Sequence, residues 1–312
     1  MFVTLFFRRE IGGGLLFFVF ILCVVSLPAQ TNRALLVAIS DYPIENGWDE
    51  THASNDCELI IPMLKRNGYN SNHIRTLLDE KATKANIVKE LANLVRKSKA
   101  GDYIYLHFSG HGQQMADDNG DEPDGLDEAF IPYDAHYRYV AGKYEGENHL
   151  RDDELEYWTD RIRSEVGKEG NVIVVLDACH SGTGTRIVEE DDYIRGTSYI
   201  FAPDNFEQEE STTEAFRLNL RSESRLADVT VFSACQPDEL NFEYKTGSPA
   251  TYYGSLTFFF CETMNERRLS GSNRAFYLRL KNKMTAYFSK RPKTQTPYFE
   301  STAENSFFRV GK

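Results

Sequence analysis

An α/β fold built on a parallel sheet is predicted by three features of the sequence. Short apolar runs rich in β-branched residues recur along it, helical patterns alternate with them, and 41 % hydrophobic with 13 % aromatic residues over 312 positions is a globular composition. Strands that read as unbroken apolar runs are buried on both faces, and strand–helix alternation places them side by side with helices covering the sheet. The length suffices for one sizeable core.

In chain order, RALLVAI at 33–39 reads as a buried strand and 55–66 as an amphipathic helix. IRTLL at 74–78 is a short strand, 84–97 a helix, and YIYLHF at 103–108 a second buried strand. The Asp- and Gly-rich stretch 117–127 reads as a loop and 152–166 as a helix. VIVVL at 172–176 and VTVFSA at 229–234 are strands, 254–267 and 274–289 are helices, and a last strand is expected near 307–310. Residues 187–227 are polar and acidic without a sustained period, which reads as a surface linker. The expectation is a single domain over 30–312, with a larger part at 33–186 and a smaller one at 228–312.

The first 29 residues have the outline of a signal peptide: Arg8 and Arg9 precede an apolar run from Leu15 to Leu27, followed by Pro28 and Ala29. The run is short of the roughly 20 residues that span a bilayer. Cleavage near Ala29 and export, to the periplasm or outside the cell, are therefore expected, with an uncleaved N-terminal anchor as the alternative and no stable membrane span once the leader is cut. A net charge of −12, from 47 acidic and 35 basic residues, disfavours a nucleic-acid partner, because phosphate binding needs a basic surface. Beyond the leader, Cys57, Cys179, Cys235 and Cys261 form no CxxC pair, so neither a zinc site nor a disulfide framework is indicated.

In a parallel sheet, reactive groups gather at the carboxyl ends of the strands. YIYLHF runs into Ser109, Gly110, His111 and Gly112, and VIVVL runs into Asp177, Ala178, Cys179, His180, Ser181 and Gly182. If these strands are neighbours, Cys179 faces His111. A thiolate attacks carbonyls well once an imidazole takes its proton, and the backbone N–H groups of Cys179 and Gly112 are the candidate donors to the oxyanion. A lone cysteine or histidine at a strand end is usually structural; the two together carry the argument. His180, next to the nucleophile, is assigned no catalytic role.

SGHG after one buried strand and DACHSG after a second closely resemble the metacaspase-like branch of the caspase fold, a three-layer sandwich with helices on both faces of a mostly parallel sheet. ALLVAISDY, Asn55-Asp56, DGLDEAFIPYD, RDDEL, SACQPDELNFE and QTPYFES extend the resemblance from about Arg33 to the end. It implies a cysteine endopeptidase with His111 and Cys179 as a dyad lacking a third orienting residue, acting as a monomer. It also implies that Asp56 and Asp177 are pocket carboxylates and Ser109 a pocket-lining serine. Paired anions in a partly desolvated pocket select Arg or Lys. The expected substrate is therefore a peptide or protein cut after a basic residue, and Arg195, Arg217, Arg221 and Arg225 are candidate points of self-cleavage.

No cofactor is required by this chemistry. The acidic loop fails the EF-hand template, since placing Gly125 at the turn puts Gly120 at the first ligand position. The family's own calcium site implies Asp127, Asp152 and Asp153 as ligands, but its fourth position here is Arg186, whose charge would repel or replace the ion. Competing readings are a catalytically silent module of the same shape, a clostripain-like or gingipain-like cysteine peptidase, and a thiol hydrolase acting on something other than peptides.

Overall fold

The structure, a computed structural model, describes residues 3–11, 14–22, 30–120, 122, 124–179, 192–207, 220–236, 239–266, 271–306 and 308–311. The chain divides into two units, Met1–Gln30 and Thr31–Lys312. The first is a hairpin of β1 (Val3–Ile11) and β2 (Gly14–Leu22), paired antiparallel from Val3 with Leu22 to Ile11 with Gly14. Residues 23–29, where leader cleavage is expected, lie outside the described residues. No helix among the described residues is long and apolar enough to cross a membrane.

The second unit is built on β3 (Asn32–Ala38), β4 (Ile74–Leu78), β5 (Tyr103–Ser109), β9 (Asn171–Asp177), β10 (Asp228–Ser233) and β13 (Tyr298–Ser301). Their order across the sheet is β13-β10-β9-β5-β3-β4, all parallel except the antiparallel edge strand β13. Side chains alternate across it, as the period of two requires. Leu35, Val37, Leu106, Val174 and Val231 enter one core with residues of α2 (Lys84–Lys97) and α3 (Asp152–Val166). Leu36, Tyr105, Val175 and Phe232 enter a second core with α1 (Asp56–Arg66), α4 (Ser255–Met264) and α5 (Asn273–Phe288). The result is the three-layer α/β sandwich expected.

Three local expectations are corrected. The last strand is β13, not 307–310; Phe308 and Val310 are buried in the second core without pairing as a strand. The stretch taken as a loop ends earlier, because Leu126 and Asp127 begin β7 (Leu126–Phe130), which pairs with β6 (Gly112–Ala116) and β8 (Leu150–Arg151) in a small separate sheet. The described start of the expected surface linker is mostly part-exposed, yet it is anchored in the fold through two buried residues. Ile194 bridges to Phe242 and Phe201 to Met115, while Arg195 and Phe201 are buried. Tyr244 and its neighbours form a short hairpin, β11 (Glu243–Thr246) with β12 (Thr251–Gly254), that borders this segment.

Candidate active site

β5 and β9 are direct neighbours, with Ser109 in register with Asp177. Their carboxyl ends therefore deliver Ser109, His111, Asp177 and Cys179 to one edge of the sheet. Gly110 is needed there because a Cβ would lie 2.7 Å from the Tyr42 hydroxyl. That hydroxyl accepts the His111 N–H at 3.0 Å and donates to the Ile131 carbonyl, fixing the turn. Gly112 opens β6, opposite Phe130.

His111 is buried, stacked on Trp48 at 4.9 Å between ring centroids and packed against Tyr42. Its Nε2 lies 2.9 Å from the Asp49 carbonyl, which can only accept, so Nε2 carries the proton. Nδ1 then bears the lone pair, and it is buried without a hydrogen-bond partner. Burial lowers the pKa of His111 from 6.5 to about 4, although the Asp49 carbonyl opposes it. The ring is thus a neutral base.

Cys179 is buried. Its thiol donates to the Glu239 carbonyl at 3.1 Å and accepts from the Cys235 thiol at 3.2 Å. The hydrogen bond to Cys179, together with burial, holds Cys235 well above the usual thiol range. None of Cys57, Cys179, Cys235 and Cys261 is in a disulfide.

Beside the thiol is a pocket of three carboxylates filled by an arginine of the same chain. Arg195 Nη1 lies 2.6 Å from Asp56 and 3.7 Å from Asp177, and its Nε lies 3.0 Å from Glu243. All three acids are held from behind. Asp56 accepts from the Ser109 hydroxyl and the Gly254 N–H, and Asp177 from Asn241 and from both the N–H and hydroxyl of Thr257. Glu243 accepts from the His52 N–H and pairs with its Nδ1. Burial pulls the Glu243 pKa up, but Arg195 and His52 outweigh it and hold it below the usual carboxylate range. Burial pushes Asp56 up, and Arg195 opposes the rise. Behind the pocket, His107 Nε2 is 3.0 Å from both the Ser109 and Thr257 hydroxyls. Burial lowers its pKa to about 3, so it is a neutral donor that leaves both hydroxyl protons to the carboxylates.

The backbone of Arg195 is held as firmly as its side chain. Its carbonyl accepts the Cys179 N–H at 2.7 Å, its N–H donates to the Asn241 carbonyl, and the Glu243 N–H donates to the Tyr193 carbonyl. A Cβ on Gly196 would collide with the Cys179 carbonyl, so the Arg195–Gly196 bond lies against the thiol residue. An extended segment, added edge-on to 241–243, thus presents an arginine carbonyl to a cysteine.

Asp56, Ser109 and Asp177 come together as the sequence predicts. Nothing local in the sequence marks Glu243, Gly254, Asn241 or Thr257; Glu243 lies in the NFE stretch after β10, where one acid among many gives no cue. His180, Arg186 and Arg217 lie outside the described residues.

Among the expected calcium ligands, Asp127 and Asp153 are already engaged. Arg151 binds Asp127 and also pairs with Asp118 at 3.2 Å. Asp153 accepts from Asn119 at 2.6 Å. Burial and the neighbouring Asp153 raise the pKa of Asp152 to about 8. The carboxylates of Asp117, Asp118 and Asp127 lie within 4.8 Å of one another, and Asp127 Oδ1 is buried without a hydrogen-bond partner. The donors suit a hard cation, but the guanidinium stands among them, so the set fits calcium only if Arg151 moves aside.

A cysteine and a neutral histidine at adjacent strand ends of a three-layer α/β sandwich define a caspase-like site. Residues 31–308 match the family model for the caspase domain, and the chain belongs to that family. It is 32 % identical to "Metacaspase III c" of Phaeodactylum tricornutum over 159 residues, 49 % of this chain and 43 % of that protein. It is 28 % identical to "Metacaspase-1" of Plasmodium falciparum over 232 residues, 72 % of this chain and 33 % of that protein. With "Metacaspase-2" of Arabidopsis thaliana it shares 29 % over 240 residues, 74 % and 51 % of the two chains. The chain therefore spans about a third to a half of the length of these relatives. The crystal structure of protein GSU0716 from Geobacter sulfurreducens shares the fold, at a TM-score of 0.57 and 22 % identity over 87 % of this chain and 93 % of that one.

Proposed function

We propose that the chain is a cysteine endopeptidase that cuts after Arg or Lys, using Cys179 as nucleophile and His111 as base, and that it processes itself at Arg195–Gly196. The observation that carries this reading is Arg195: its side chain fills the acidic pocket while its carbonyl accepts the Cys179 N–H.

Cys179 Sγ attacks the carbonyl carbon and its proton passes to His111 Nδ1. The C=O electron pair moves onto oxygen, where the Cys179 N–H and the Gly112 N–H stabilise it. Collapse breaks the C–N bond, and His111 returns the proton to the leaving amine. Water, activated by the same imidazole, then hydrolyses the thioester. No metal takes part in these steps. Arg151, already between Asp118 and Asp127, supports calcium independence, whereas calcium would have to displace it to bind Asp127, Asp152 and Asp153.

Export follows from Arg8, Arg9 and the apolar run behind them, and the enzyme is proposed to act as a monomer on polypeptides. N-terminal sequencing of the protein from a cell envelope fraction tests the first point and sedimentation the second. The peptidase reading is tested with fluorogenic peptides differing only in Arg, Lys or Asp before the cut, on the wild-type chain and Cys179→Ala. Cysteine-dependent release after Arg and Lys supports it. Release after Asp overturns the pocket assignment, and no release with any peptide favours a silent module.

A further inference from the structure

The segment that fills the acidic pocket makes specific contacts beyond Arg195, and those contacts describe a longer binding site. Tyr193 lies edge-on to His52, at 4.4 Å between ring centroids, and edge-on to Tyr252 at 4.9 Å. His52 and Tyr252 are themselves stacked at 4.7 Å, so together they form one aromatic wall. His52 is fixed in that wall by Glu243, the same carboxylate that holds the arginine Nε. Ile194 packs on the second hydrophobic core. Asp192 pairs with Lys293, whose ammonium is buried against the Phe242 ring at 5.2 Å.

These neighbours alternate as an extended strand demands. Residues 193 and 195 face the aromatic wall and the carboxylates that share His52 and Glu243, while residue 194 turns to the core. Lys293 is a buried cation offered to an acid one position further out. The binding mode is strand addition, in which backbone bonds to 241–243 supply affinity and alternate side chains supply specificity.

Building on the proposed endopeptidase activity, we propose that the site recognises four residues before the cut: an acid, an aromatic, an aliphatic and an arginine, as in Asp-Tyr-Ile-Arg. Lys293 reads the first, the His52–Tyr252 wall the second and the face of the second hydrophobic core on which Ile194 packs the third. The physiological substrates are then extended polypeptide segments of that pattern, and the chain's own 192–195 is one example of them.

Binding separates this inference from the activity on which it rests. Labelled Asp-Tyr-Ile-Arg peptide, with Ala in place of Tyr or Lys in place of Asp, is titrated by fluorescence anisotropy into the chain carrying Cys179→Ala and Arg195→Ala, which frees the pocket without cleavage. Loss of the aromatic should weaken binding about five- to tenfold, and Lys for Asp about fivefold or more. Lys293→Glu should reverse the preference at the outer position. Equal binding of all three peptides overturns the inference while leaving a basic preference standing.

Arg195→Ala leaves three buried acids without their partner and risks unfolding the chain, so a second arm keeps residue 195 intact. In the active chain, Tyr193→Ala and Asp192→Lys should each slow release of the fragment ending at residue 195, and Lys293→Asp should restore the rate in the Asp192→Lys background. Unchanged rates, or no restoration, overturn the inference. If no peptide is cleaved by any form, the peptidase reading fails, yet the binding order still decides the four-residue pattern.

Discussion

The backbone N–H of Cys179 donates to the carbonyl of Arg195 across 2.7 Å. The same arginine extends its guanidinium into a pocket where Asp56, Asp177 and Glu243 converge. A buried cation facing three acids leaves the pocket anionic even when filled, which is the electrostatic basis of the proposed preference for basic residues.

The three acids should contribute unequally. Asp56→Asn removes the closest charge-assisted contact and should lower kcat/KM for both Arg and Lys peptides by about tenfold to a hundredfold. Glu243 faces Nε, where lysine has only a methylene. Glu243→Gln should therefore lower the rate on Arg peptides more than on Lys peptides, a ratio read directly from paired substrates.

Gly254 lies where the pocket has no room for a side chain. A Cβ there would meet the Asp177 carboxylate and the Arg195 guanidinium. Gly254→Ala should reduce kcat/KM by about a hundredfold while costing only about 1–3 kcal/mol of stability, as measured by urea unfolding alongside peptide assays.

Acid should destabilise the fold through its histidines. Burial lowers the pKa of His111 to about 4, and those of His107 and His149 to about 3, from 6.5. The unfolded chain takes up these protons at higher pH than the folded one, so stability is unaffected above pH 6.5 and falls as pH drops from there towards 4. At pH 5 each such histidine costs about 2 kcal/mol. Urea midpoints at pH 7.5 and 5 measure the loss, and His107→Gln should reduce it.

Arg151 is expected to supply the charge that a cation would otherwise supply. Chelation should leave wild-type peptidase activity unchanged. Arg151→Ala should lower the melting temperature by stranding the buried Asp127, and millimolar calcium should restore part of it. A calcium-induced rise of equal size in the wild-type chain would contradict this.

Much of the sandwich is legible in the sequence because its signals are local. The helices at 84–97 and 152–166 follow from apolar spacing, and Thr83 caps the first of them through the Asn86 N–H. β5 and β9 are predominantly apolar and rich in β-branched and aromatic residues, so their ends, with His111 and Cys179, are readable too. β6, with the sequence GQQMA, is hidden by its polar composition although its residues are largely buried. The C-terminus misleads for the opposite reason: Phe308 and Val310 are apolar because they fill the core, while the actual edge strand is half-exposed and lacks a clean alternation. The pocket is only half legible. Asp56 and Asp177 sit in recognisable motifs, but Glu243 and Gly254 come from the hairpin after β10 and acquire meaning only when the chain folds back on α1. Arg195 reads as one arginine in a polar stretch, because nothing local indicates that it is buried.

Intact-mass measurement of the purified chain, incubated over time beside Cys179→Ala and Arg195→Ala, tests the central claim most directly. The account predicts fragments divided between Arg195 and Gly196 in the wild-type chain, and none at that bond in either variant. A wild-type chain that cleaves Arg peptides in trans yet stays whole at Arg195, or that is cut first after Arg221 or Arg225, would contradict it.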